Sequence, residues 1–335
     1  MNRPHLSARR TLLAIAAATA IGAASSQALA QAPTIRIDGS STVFPISEAV
    51  AEEFQKAHRT MRVTVGISGT GGGFRRFCRG ESDIQNASRP ISTSEIEECR
   101  KAGIQYIELP VTFDALTVVV HPKSFLSDIS VEDLRRIWEP AAQGKITRWN
   151  QVNPAWPDRP IKLFGPGTDS GTFDYFTEAV TGKSKASRPD FTASEDDHVL
   201  VVGVSRDVDA MGYFGLTYYL ANRDRVRGLP ISWKGGRAVA PTAENVLNGS
   251  YQPLSRPLFI YVNAAALARP EVRSFVEFYN RHATKLAAEV GMVPLPARAY
   301  EYNATAVAKN RVGTKFGGVN RIGVTIDELM TLVAK

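Results

Sequence analysis

The sequence is poor in reactive and metal-binding side chains. Its 335 residues include two cysteines and five histidines, and His58, His121, His198 and His282 stand far apart, without the spacing that a zinc site requires. No G-x-x-x-x-G-K-[ST] loop occurs, so the chain has no P-loop with which to hydrolyse a nucleotide. After residue 30 no unbroken apolar run reaches the roughly 20 residues that span a bilayer. The basic side chains are dispersed along the chain, and nothing resembles the clustered face of a nucleic-acid binder. There is no internal repeat, low-complexity tract or sizeable linker.

What is present begins with a leader. Arg3, Arg9 and Arg10 precede an apolar segment over residues 12–24 and then Ala28-Leu29-Ala30, the pattern of a secretory signal cut after Ala30. Arg9-Arg10 also fits a twin-arginine signal, so either Sec or twin-arginine export is open. No cysteine follows the apolar segment, which argues against a lipid anchor. Removing those three arginines lowers the formal charge of +7 by three, to +4. About three hundred residues remain, enough for two domains with full cores. In an exported protein the pair Cys78 and Cys99 reads as one disulfide rather than two free thiols, worth a few kcal/mol.

The chain is organised around residues 164–176, FGPGTDSGTFDYF. An apolar run over 161–164 stops at a loop of Gly, Pro, Thr, Asp and Ser before an aromatic helical pattern starts, so Ser170, Gly171 and Thr172 fall at the first turn of a helix. Backbone N–H groups there lack internal partners and the helix dipole is positive, which suits an anion. Residues 35–39 leading to Ser40, Ser41 and Thr42 repeat the construction, and so do residues 63–67 leading to Ser68, Gly69, Thr70 and three more glycines. Taken singly, each loop is an ordinary cap or turn. Three of them, each richer in hydroxyls and glycine than a cap needs, point to the gripping of a small oxyanion by neutral dipoles.

Strand and helix patterns alternate from Thr34 onward, predicting an α/β chain with mainly parallel strands. Helices are expected over residues 45–57, 74–79, 93–102, 131–138, 170–180 and 194–205. Residues 111–120 and 258–262 read as buried strands. If both pass between lobes, the middle of the chain forms one lobe and its two ends the other, with the three loops facing a common cleft. The expected divisions are a leader at 1–30, one lobe from 31–113 plus 254–335, and a second from 114–253.

Across nearly the whole mature chain, in order, run GSSTVFP (39–45), SGTGGGF (68–74), SDIQNASRPI (82–91), LRRIWEP with RWN (134–140, 148–150), PGTDSGTFDYF (166–176), SEDDHVLV (194–201), MGYFGLTYY (211–219) and LSRPLFIYV (254–262). These motifs resemble the periplasmic phosphate-binding protein of the high-affinity, Pst-type phosphate ABC transporter, in its GSSTVFP branch. The resemblance implies a two-lobed periplasmic-binding-protein fold of type II, with two crossover strands, that closes on one phosphate and delivers it to a membrane permease. It also implies a periplasmic location; no cofactor, metal or nucleic-acid partner is expected, and a monomer is the simplest oligomeric state. Carried over by motif, the ligand shell is Ser41, Thr42, Ser68, Thr70, Ser88, Arg89, Ser170, Gly171 and Thr172.

The sequence departs from the best-known branch in two places: Ser88 stands where that branch has aspartate, and Pro166 where it has arginine. The expectation is therefore that Arg89 supplies the cationic contact and that Asp169 or another acid accepts a proton from the anion. Near neutral pH phosphate keeps a proton and sulfate does not, so a carboxylate aimed at the anion favours phosphate. A role for Asp169 in holding the Arg89 guanidinium remains equally open. Glu195, Asp196 and Asp197 read as first-turn acids of a helix rather than ligand contacts. Trp138, Trp149, Tyr218 and Tyr219 read as core or lobe-interface aromatics. The rival classes are an exported phosphate-ester hydrolase using Ser170 and a binder of another oxyanion (phosphonate, arsenate, sulfate or molybdate), with sensing or adhesion as an added role. Against the hydrolase, Thr168 and Thr172 occupy the positions where a nucleophile elbow has glycine.

Overall fold

The computed structural model of the chain describes residues 33–334, and the expected leader lies outside them. Thirteen strands occur among the described residues: β1 (Thr34–Gly39), β2 (Arg62–Val65), β3 (Ile84–Ala87), β4 (Tyr106–Ala115), β5 (Thr117–Val120), β6 (Ile129–Ser130), β7 (Lys162–Gly165), β8 (Thr192–Ala193), β9 (Ala210–Phe214), β10 (Arg227–Gly228), β11 (Ile231–Ser232), β12 (Ser255–Asn263) and β13 (Val293–Pro294). They form a six-stranded sheet ordered β13-β4-β12-β3-β1-β2 and a five-stranded sheet ordered β10-β5-β9-β7-β8; β6 and β11 pair separately. Each large sheet is the floor of one lobe.

In the first sheet β1 runs parallel to β2 and β3, whereas β12 runs antiparallel to β3 and β4. The second mixes the parallel pairs β7–β9 and β7–β8 with the antiparallel pair β5–β9. The parallel units are the alternating strand–helix stretches of the sequence, as such crossovers require. The single buried strand expected over residues 111–120 is two strands: β4 ends at Ala115 in the first sheet and β5 begins at Thr117 in the second. The chain moves between sheets at Leu116, whose N–H donates to Leu254 O at 2.8 Å beside the return crossing into β12.

Apolar side chains at helical spacing close the layers. Ile46, Val50 and Phe54 of the helix Phe44–Ala57 are fully buried. Phe54 meets Phe275 and Phe278 of the helix Pro270–Glu289 edge-on, with centroids 5.2 and 5.4 Å apart. Truncating such a phenylalanine to alanine costs about 3–5 kcal/mol. In the second lobe Phe176 stacks on Tyr213 at 3.7 Å and Trp138 abuts Tyr213 edge-on at 5.0 Å. Trp138 and Trp149 are core residues. Cys78 and Cys99 are joined by a disulfide, so the helix Gly69–Phe77 is tied to the helix Thr93–Lys101.

One helix starts earlier than its sequence suggests. The expected start was Phe74, but the helix runs Gly69–Phe77 through a run of glycines that are poor helix formers. Packing overrides propensity here: a Cβ on Gly73 would lie 2.6 Å from Gly39 Cα and closer still to the Gln85 amide, so only glycine lets this turn lie against the sheet.

Candidate functional site

Three helix N-termini converge. β1 ends at Gly39, whose φ of +128° favours glycine and turns the chain into Ser40, Ser41 and Thr42 ahead of the helix at Phe44. β2 leads through Ser68 to the helix at Gly69. β7 leads to Ser170, the N-cap of the helix Gly171–Thr181, whose Oγ accepts from Thr172 N at 3.1 Å. That helix stops at Gly182, in the left-handed conformation typical of a C-terminal cap.

Hydroxyls from both lobes meet at these turns. Thr42 Oγ1 lies 2.9 Å from Thr172 Oγ1, and Thr70 Oγ1 lies 3.1 Å from Ser88 Oγ while accepting from Ser88 N at 3.1 Å. A Cβ on Gly171 would fall 2.5 Å from Thr70 Oγ1 and 2.7 Å from Ser88 Oγ, so Gly171 is what admits these side chains. Ser41, Thr42, Thr70, Ser88, Ser170 and Thr172 are all buried.

The cation reaching this cluster is Arg256, a residue the sequence reading did not single out. Its Nη2 donates to Thr172 Oγ1 at 2.8 Å and its Nη1 to Gly171 O at 3.3 Å. Arg256 sits directly opposite Asp114 in the β12–β4 ladder and pairs with it at 3.0 Å; the two are 1% and 2% exposed. Asp114 also accepts from Leu216 N at 2.9 Å, which joins both crossing strands to the second lobe. A partial signal was available: Asp114 is the one formal charge in the run 111–120 read as a buried strand and so calls for a buried partner, whereas Arg256 lies just ahead of the run read over 258–262 and was left outside it.

Arg89 lies elsewhere. Its two Nη atoms grip Glu95 at 2.8 Å each, and its Nε donates to Asp174 Oδ2 at 2.7 Å. Glu95 belongs to the first lobe and Asp174 to the helix Gly171–Thr181 of the second, so Arg89 is a buried tie across the seam. Asp169 does not hold Arg89, as one of its expected roles required. Its carboxylate faces outward and takes a two-pronged contact from Arg75, at 3.0 and 2.6 Å, which lowers its pKa below the ordinary range. Ser68 Oγ turns away from Thr70 and donates to Asp38 at 3.0 Å.

Of the acids before the helix Asp197–Ser205, Asp196 caps it, accepting from His198 N at 2.9 Å. Asp197 turns inward. It is 2% exposed, accepts a hydrogen bond from the Ser41 side chain, and leaves Oδ2 without a partner. Burial pushes its carboxyl up to about 7, with Asp114 adding to the rise and Ser41 and Arg256 opposing it. Among the described residues no group of three His, Cys, Asp or Glu is placed to hold a metal, and no helix is long and apolar enough to cross a membrane.

The arrangement can enclose a small tetrahedral anion with hydroxyls and helix-terminal amides, neutralise it with one guanidinium, and meet it with one acid. Residues 22–281 match the model of a PBP superfamily domain. The protein SphX of Synechococcus elongatus is 51% identical over 98% of this chain and 97% of its own length. The phosphate-binding protein PstS of Staphylococcus saprophyticus is 36% identical over 79% of this chain and 82% of its own. Among solved structures, a putative phosphate ABC transporter substrate-binding protein from Clostridium perfringens with bound phosphate is 26% identical. It covers 78% of this chain and 100% of its own, with a TM-score of 0.65.

Proposed function

The chain belongs to the phosphate-binding proteins of the PBP superfamily, with their two-lobed fold, and on that premise we propose that it captures inorganic phosphate outside the cytoplasm and delivers it to an ABC permease. The observation that carries the reading is the meeting of Thr42, Thr70, Ser88, Gly171 and Thr172 from both lobes around the reach of Arg256. Neutral donors hold the anion, and Arg256 supplies the charge-assisted contact expected of Arg89.

Selectivity for phosphate falls to Asp197. Its free Oδ2 is a buried acceptor for a proton that phosphate carries and sulfate lacks. The first lobe takes residues 33–115 and 255–334, two residues further along the outgoing crossing than the expected division at 113, and the second takes residues 117–253. They close about the crossings at Leu116 and ahead of Ser255, and the closed form is what the permease engages. The leader at 1–30 exports the chain. The protein acts as a binder: Ser170 Oγ is occupied as a helix cap, and the anion leaves unchanged. Isothermal titration of the mature protein tests this, with tight binding of phosphate and arsenate and weak or no binding of sulfate expected. Sulfate bound as tightly as phosphate would overturn it.

A further inference from the structure

Behind the Asp169 turn stands a half-buried glutamate that no contact with the anion explains. Glu195 follows β8, and its Oε1 accepts from Asp169 N at 3.1 Å. Its Oε2 is shut from solvent and has no hydrogen-bond partner. A Cβ on Gly69, across the seam in the first lobe, would fall 2.7 Å from that Oε2 and 2.6 Å from Asp169 O. Glu195 is therefore wedged where the two lobes touch. The turn it supports makes the crossing contacts: Asp169 O accepts from Gly71 N at 2.8 Å, and the Asp169 carboxylate holds Arg75 of the same first-lobe helix.

The charges facing Glu195 disfavour a carboxylate there. Asp169 and Asp174 repel it, Lys185 alone attracts it, and Arg75 is already committed to Asp169. Burial, the largest influence, and those two acids push Glu195 up to about 7, against the opposing pull of the Asp169 N–H and Lys185. With the lobes apart the same side chain loses the cover of Gly69 and the first lobe, and its pKa falls back toward the ordinary carboxylate range.

We propose that Glu195 is a positioning residue for the anion site that works in its protonated form: closure takes one proton from solvent onto Glu195, and opening returns it. The proposal rests on the phosphate-binding reading above. Below the ordinary carboxylate range Glu195 is protonated open or closed, and closure is unhindered. As pH rises toward about 7 closure must recruit the proton, and above that it must bury a carboxylate beside Asp169 and Asp174. Phosphate affinity thus falls with pH and then levels.

The test is calorimetric titration of the mature protein and Glu195→Gln with inorganic phosphate at several pH values. The anion's own ionisation cancels in the ratio of the two dissociation constants. That ratio, wild type over variant, is expected to be within a few-fold near pH 5 and to exceed about tenfold near pH 8, the variant binding more tightly. Titrations near pH 6 in buffers of different ionisation heat should show the wild type taking up close to one proton more than the variant. Matching pH profiles and proton counts overturn the proposal while leaving the phosphate reading intact; failure of both proteins to bind phosphate overturns both. Should the variant not fold, proton uptake by the wild type no greater than the anion's own equilibria supply overturns it equally.

Discussion

Replacing Arg256 separates what this residue does for the fold from what it does for the ligand. Arg256 and Asp114 are buried as a pair, so Arg256→Met leaves a carboxylate with no counter-charge, at a cost of about 3–5 kcal/mol. At roughly 2–4 °C per kcal/mol, melting should fall by about 10 °C. The same change removes the charge-assisted donor 2.8 Å from Thr172 Oγ1, worth about 1.5–3 kcal/mol, so phosphate should bind about 10- to 150-fold more weakly. The single variant confounds the two effects, whereas Arg256→Met with Asp114→Asn does not. The double variant is neutral, and the carboxamide oxygen it carries in place of the carboxylate can still accept from Leu216 N, so stability should return close to wild type. Affinity should stay low. Melting by circular dichroism and titration by calorimetry read the two separately. A double variant that melts like wild type and binds phosphate within about threefold of it would refute the assignment of Arg256 to the anion.

Two further outcomes follow from the same geometry. Gly171→Ala places a methyl 2.5 Å from Thr70 Oγ1 and 2.7 Å from Ser88 Oγ, so the lobes cannot close fully; phosphate affinity should drop at least about tenfold with melting little changed, and unchanged affinity would show that closure does not need this space. Asp197→Asn removes the carboxylate charge that repels a fully ionised anion and replaces one acceptor oxygen with a donor NH2, which sulfate can meet as well as phosphate. Because Asp197 is held up to about 7, the preference of the wild type for phosphate over sulfate should widen as pH rises through that value and the acid ionises. The variant should show a smaller preference that does not vary with pH, measured by paired titrations.

The turns that make up the proposed site were legible because their signal is local. A hydroxyl-rich loop between an apolar run and a helical stripe announces a helix start whatever it packs against, which is why Thr42, Thr70, Gly171 and Thr172 could be named from the sequence. The disulfide was legible for a similar reason, since export leaves two cysteines one simple partner. Side-chain pairing is not local. Arg89 reads as a ligand contact within its motif, yet Glu95 lies in the first turn of the next helix and Asp174 arrives from the other lobe, and together they occupy it. Asp169 stands beside Ser170 in sequence but faces solvent and Arg75. The three acids at 195–197 look interchangeable as first-turn residues; the fold gives one to the cap, one to the seam and one to a buried place beside Ser41. The break between β4 and β5 at Leu116 was hidden because both halves are equally apolar and fully buried.

The central claim is that turns from two lobes and one guanidinium enclose the anion, and a crystal structure of the mature protein with phosphate tests it most directly. The account predicts phosphate oxygens within about 3 Å of the Thr42, Thr70 and Thr172 hydroxyls and of the Arg256 guanidinium. An anion held by Arg89, or bound away from these turns, would contradict it.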